Sequence, residues 1–390
     1  MGSGFRGKIF RVRFFPENFE SIVGPTFVAH VPCGLISQSN SPNPMSNNTS
    51  DDFGSGKIQG SELHWRYLLE EYKKPNLRKA TGQLLNTFIP YLALWTLMVF
   101  IIQQGYSYWI VLGLSVPASL LLVRIFIFFH DCCHNTFLPS HRANKILGYI
   151  CGILAFTPFY DWRRSHGLHH ATAQDLDRRG IGDIKTLTVE EYLAAPKMKR
   201  LAYRLYRNPL IMFGPGPLLH FLILQRFPHK GARKKERYSV VVADLVILAI
   251  IGVATLTIGL RTYLLIQMLI MEFAATIGVW IFYVQHQYEG VYWARHQNWD
   301  VVRVALKGAS YYKLPKVLQW FMGNINLHHA HHFRPVIPNY NLQWFHDTIP
   351  FLQTVEPLTI RRSLKSLRLS LWDEKGQKLV SFRSIKRYLR

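Results

Sequence analysis

Four long apolar runs, in two back-to-back pairs, constrain this chain more than any other feature. The first pair covers about 84–104 (beginning LLNTFIPYLALWTLMVFII) and 106–129, and the second about 240–260 and 262–284. A helix needs roughly 20 apolar residues to cross the ~30 Å hydrocarbon core. Backbone polar groups in lipid must be satisfied within the segment, which a helix does alone. The sequence therefore predicts an all-α integral membrane protein with four transmembrane helices in two hairpins. Composition agrees. Of 390 residues 49% are hydrophobic and only 18% charged, yet the net charge is +23, so apolar and basic stretches are segregated. Aromatics at 14% exclude disorder for most of the chain. The four cysteines (Cys33, Cys132, Cys133, Cys151) have no CxxC spacing, which excludes a disulfide scaffold, a cysteine-held iron–sulfur cluster and a cysteine-type zinc site.

Residues 1–60 are rich in Gly, Ser, Asn and Pro and read as a disordered or targeting extension, with Met45 an alternative initiator. They carry no signal peptide and no myristoylation pattern. Residues 61–390 form one membrane domain. The turns after the first and third runs hold almost no Lys or Arg, whereas 130–238 holds many, including Arg163, Arg164, Arg178, Arg179 and Arg233-Lys234-Lys235. The positive-inside rule then puts 130–238, 285–390 and both termini in the cytoplasm, with the bilayer a cell membrane if the source is bacterial. Two shorter apolar stretches, 146–160 and 209–227, are broken by Pro or Gly and read as interfacial or re-entrant helices. Arg124 and Asp244 sit near the inner ends of their spans; either they pair, or Arg124 snorkels to the headgroups. The basic excess fits lipid headgroups or an acidic protein; the hydropathy argues against nucleic acid.

The 17 histidines are not scattered. HDCCH (130–134) follows the second run, HGLHH (166–170) lies in the loop region, His286 follows the fourth run, and HHAHH (328–332) comes later. Residues at i, i+3 and i+4 share a helix face. His130 and His134, then His166, His169 and His170, then His328, His331 and His332 can each aim at one point, whereas His329 is turned away. With His286 that makes nine convergent imidazoles. One ion takes four to six ligands, so nine imply two metals. Imidazole suits Zn, Cu, Fe and Ni. A closed zinc site needs four ligands, and two imidazole-rich sites at a membrane surface fit dioxygen-activating iron better. A transporter would place its ligands at mid-membrane on broken helices. A lone HxxHH is weak; two copies plus an HxxxH at matching depth are strong.

These motifs, with FYVQHQYEGVYW (282–293) and GNINLHHAHHFRPVIPNYNL (323–342), resemble the membrane-bound fatty acid desaturase family over about 62–385. DLDRRGIGDIKTLTVEEYL and SYYKLPKVLQWFMGNI look nearest to the bacterial-type omega-6, or delta-12, acyl desaturases. Cys133, Gly167, Ala330 and Asn326 depart from the family's usual residues, but none removes a ligand. The resemblance implies a four-span helical protein whose cytoplasmic cap holds two iron ions on His130, His134, His166, His169, His170, His286, His328, His331 and His332. It implies an oxidoreductase that introduces a cis double bond into a fatty acyl group of a membrane lipid or thioester while O2 is reduced to water. Two adjacent CH2 groups lose hydrogen, and no side chain is reactive enough for that.

Metal-bound histidines usually give their second N–H to an acceptor. Asp131, Asp161, Asp175, Asp177, Glu289 and Asn324 are candidates for orienting the ligands, with caps or surface acids the plainer role. Asn324, four before His328, could share its face and hold a water. The sequence carries no HPGG segment and no cysteine cluster, so electrons come from a separate donor, a ferredoxin or cytochrome b5-like protein. The competing readings are a di-iron hydroxylase or ketolase on an alkane, sterol or carotenoid, and a membrane metal transporter or sensor.

Overall fold

The computed structural model describes residues 69–388, so the expectation for residues 1–60 lies outside the described residues. Four helices are long and apolar enough to cross a membrane: α1 (Leu77–Gln103), α2 (Tyr108–His134), α7 (Lys234–Thr257) and α8 (Leu260–His286). The protein is an integral membrane protein. Helix α1 starts seven residues before its apolar run because the Asn76 side chain caps it, accepting from the Lys79 N–H at 3.0 Å. Pro90 and Pro117 lie inside α1 and α2, as membrane helices tolerate. Gly259 (φ +83°) makes the tight turn between α7 and α8.

Helices α2 and α8 each have 27 residues, which at 1.5 Å per residue is about 40 Å. That exceeds the ~30 Å hydrocarbon, so their ends project. Helix α2 is central. More than half (56%) of its apolar window is buried, against 22% for α1 and α7. It packs on α1 and on α8, where the Ser119 hydroxyl donates to the Ile270 carbonyl at 3.0 Å. Small polar residues at such crossings let backbones approach closely. Leu85, Ile89 and Leu92 of α1 and Leu245, Leu248 and Leu256 of α7 are exposed, an apolar surface that water would not tolerate and lipid requires.

The intramembrane charges differ from expectation. Arg124 does not pair with Asp244 and does not snorkel. It is buried, donating to the Thr87 hydroxyl and the Trp320 carbonyl, while Asp244 binds Arg226 at 2.6 Å. Arg226 belongs to the 209–227 stretch, which turns back against α7 and supplies the nearer cation.

The cap is built from α3 (His141–Leu154), α4 (Phe159–Thr172), α5 (Lys197–Tyr206), α6 (Pro215–Leu222), α9 (His328–Phe333) and α10 (Asn339–Thr348), none long enough to span. The fold is mostly helical. Two small sheets are additions that the sequence did not signal: β1 (Leu187–Thr188) lies parallel to β4 (Leu371–Asp373), which pairs antiparallel with β5 (Lys378–Val380), and β2 (Tyr311–Lys313) runs parallel to β3 (Pro357–Thr359). They fasten the C-terminal segment to the cap. Arg207 reinforces this from α5's end: its buried guanidinium donates to Tyr283 Oη (3.1 Å), Gln287 Oε1 (3.1 Å) and the Leu369 carbonyl (2.8 Å).

Candidate metal centre

Each histidine motif sits at a helix end that its neighbours force to one place. Helix α2 runs unbroken through HDCCH and stops at Asn135, which takes the left-handed conformation (φ 60°). Helix α8 ends on His286, and α4 carries HGLHH in its last two turns. Helix α9 starts after a bridge between Tyr311 of β2 and Leu327, so the short sheet aims HHAHH. The partial negative charge of the C-terminal ends of α2, α4 and α8 favours a cation at this meeting point.

The imidazoles form two groups. His130, His134, His166, His170 and His331 make one; His169, His286, His328 and His332 make the other. Within each group one ring nitrogen per residue lies within 4.8 Å of all the rest. In the five-ring group the Nε2 atoms run His130–His331 (3.1 Å), His331–His170 (3.0 Å), His170–His166 (3.1 Å) and His166–His134 (3.0 Å). In the four-ring group His169–His286 is 3.1 Å and His286–His328 is 2.9 Å.

These contacts are not ordinary hydrogen bonds. His169 Nδ1 is held by Asp183 Oδ1, and His286 Nδ1 donates to the Gly308 carbonyl at 3.0 Å. The Nδ1 partners fix the proton there, which leaves a lone pair on each Nε2 in the neutral ring. Two lone pairs facing each other at 3.1 Å repel unless a cation stands between them. Spacing tells the same story. Nitrogens about 2.1 Å from an ion and 90° apart are separated by about 3.0 Å, against roughly 3.4 Å for a tetrahedron. The four consecutive separations in the five-ring group lie nearer the first value than the second. Burial and the neighbouring imidazoles hold His166, His170, His328, His331 and His332 well below the usual histidine pKa, so these rings are neutral and ready to donate at pH 7.

The orienting groups are only partly those the sequence singled out. Asp131 binds His130 Nδ1 (3.0 Å), and its other oxygen accepts from the Asn339 backbone N–H (2.7 Å) and side chain (2.9 Å). Asp161 instead holds His229, and Asp175 holds His296 at 2.8 Å. Asp177 binds Arg295 (2.7 Å) and the His296 N–H. Glu289 pairs with Lys365 at the surface, 3.0 Å away. Asn324 does not share a face with His328. It lies in the turn before α9 at φ 59°, where no helical spacing applies, and donates to the Asn339 carbonyl at 3.0 Å. Asp183, Gly308 and Asn339 were missed. Asp183 lies 14 residues beyond His169 in a loop and Gly308 at the end of a π-helical turn (Val304–Gly308), so no local periodicity points to either. His329 turns away, as its position requires, and meets His346 Nδ1 at 3.2 Å. Trp162 stacks on His166 (centroids 4.3 Å, planes 16° apart) and lets the ring rotate little.

A family model described as fatty acid desaturase matches residues 106–351. A fatty acid desaturase of Bacillus subtilis (strain 168) is 47% identical over 315 residues, covering 81% of this chain and 89% of that protein. The chain belongs to the fatty acid desaturase family. It is an oxidoreductase of the di-iron desaturase class, and its two histidine clusters are consistent with that family's di-metal site. More distant relatives include an sn-1 oleoyl-lipid 12-desaturase of Synechocystis sp., 25% identical over 59% of this chain and 67% of the relative. An sn-1 acyl-lipid omega-3 desaturase (ferredoxin) of Nostoc sp. (strain 36) is 23% identical over 85% of this chain and 90% of the relative. The desaturase shares far more with the Bacillus protein, whose name carries no bond position, than with the 12-desaturases, so the family is shown and the omega-6 type is not.

Proposed function

We propose that this desaturase places a cis double bond in the acyl chain of a membrane lipid, at the delta-12 (omega-6) position, using two irons and a separate electron donor. The observation that carries the two-metal reading is the pair of buried Nε2 clusters with opposed lone pairs. His130, His134, His166, His170 and His331 would hold one iron and His169, His286, His328 and His332 the other. When bound, the irons supply the O2-dependent oxidising power that removing hydrogen from unactivated CH2 groups demands. The protein's own work is geometric. Asp131, Asp183 and the Gly308 carbonyl fix ring tautomers, and Trp162 fixes a ring plane. Lysine and arginine placement supports a cytoplasmic cap. The acyl-lipid substrate and bond position are supported by the Synechocystis relative's name, and the donor by the word ferredoxin in the Nostoc relative's name.

Gas chromatography of the lipids of a desaturase-free host expressing the chain tests this. A new cis alkene is expected, with its position at carbon 12. An alkene elsewhere sinks the regiochemistry alone, and an alcohol or ketone sinks desaturation. Asp183→Asn is expected to weaken iron retention about 10–100-fold on chelator dialysis, because an outer partner of a ligand has that weight. Asp177→Asn, at a surface ion pair, should change nothing. Equal retention in both variants would contradict the role of Asp183.

A further inference from the structure

Arg124 is 2% exposed and lies six residues, about 9 Å along α2, on the membrane side of His130. A guanidinium has five N–H donors. Here one goes to Thr87 Oγ1 at 3.0 Å and one to the Trp320 carbonyl, while the group stacks on the Trp320 ring 4.1 Å from its centroid. Among the described residues no carboxylate pairs with it; Asp244, the partner the sequence offered, is taken by Arg226. A buried arginine without a counter-charge inside a membrane protein is costly and marks a site.

Arg124 lines a cavity of about 250 Å³ between α1, α2 and the segment that carries Lys316 and Gln343. Its wall adds a second cation, Lys316, which has no acid partner among the described residues, and four carboxamides, Gln83, Gln319, Asn324 and Gln343, with no acid among them. Gln83 is six residues inside the start of α1, at the rim of the apolar run, so the cavity opens at headgroup depth. Two cations with no acid in the wall match an oxyanion, and the planar fork of arginine matches phosphate oxygens.

We propose that this cavity seats the phosphate of an anionic glycerophospholipid, a site distinct from the metal centre. Phosphate-bearing lipid is the oxyanion source most concentrated at that depth. Asn324, absent from the ligand shell, has its place here: it accepts from Gln319 at 3.0 Å and braces Asn339, which holds Asp131.

The test is lipid binding to the purified full-length protein in detergent, read by native mass spectrometry. Phosphatidylglycerol should bind, and diacylglycerol with the same chains should bind at least about tenfold more weakly, as should phosphatidylglycerol to Arg124→Gln, since a charge-assisted hydrogen bond carries that weight. Lys316→Gln, at an exposed position, should lose a few-fold. Should Arg124→Gln fail to fold, Lys316→Gln decides. Equal binding of diacylglycerol, or unchanged phosphatidylglycerol binding in the variants, overturns the proposal. So does retention of inorganic phosphate that phosphatidylglycerol does not displace, which would make the ligand free phosphate.

Discussion

Alanine in place of His331 or of His169 is expected to abolish product formation to background, while the protein still inserts and elutes as a monodisperse species. His331 belongs to the five-ring group and His169 to the four-ring group, so the two variants interrogate the two halves of the centre separately. The membrane bundle does not depend on either ring, because α2 is packed by α1 and α8 along its apolar length. The cost falls on metal retention. His331 approaches both His130 and His170, at 3.1 and 3.0 Å, and its loss opens one edge of the polyhedron on both sides. Iron per polypeptide, measured alongside the alkene product, should fall by about one ion in each variant. Full activity in either would contradict the ligand set.

Acid is the second large lever. Burial keeps His166, His170, His328, His331 and His332 neutral in the folded protein. In the unfolded chain each takes a proton near pH 6.5. Above that pH neither state binds the proton and nothing is lost. Below it only the unfolded state gains, so stability falls with falling pH, by up to about 1.4 kcal/mol per pH unit for each such ring. Several rings acting together should lower the melting temperature of the chelator-treated protein steeply between pH 6.5 and 5.5, with little change between 7 and 8. His331→Ala, with one titrating ring fewer, should show a shallower slope. A flat profile across pH 5–7 would mean that the rings are not held neutral.

What the chain discloses before folding is what local periodicity can encode. The apolar runs give four spans because length and hydropathy are properties of a segment. The HxxHH and HxxxH spacings give convergent rings because helix geometry converts spacing into direction. Most of the groups that tune those rings were illegible for the opposite reason. Asp131 was legible because it adjoins His130, while Asp183, Gly308 and Asn339 reach their partners through turns and tertiary packing. Asp161 and Asp175 look like outer partners by proximity, yet His229 and His296 arrive from far along the chain and claim them. Arg124 shows the limit most clearly. Its depth was readable, but its partner Trp320 is 196 positions away.

The scatter of the ligating rings along the chain also dictates an order of assembly. A nascent polypeptide that has inserted only its first hairpin owns His130 and His134 alone, and the four-ring group stays incomplete until His332 has left the ribosome. Cargo for either pocket therefore arrives after the last hairpin has docked, and a truncation anywhere before residue 328 leaves both pockets short of a member. Maturation of this enzyme is consequently a late event at the finished membrane body, and a cell starved of iron should accumulate inserted but empty protein that can be charged without new synthesis.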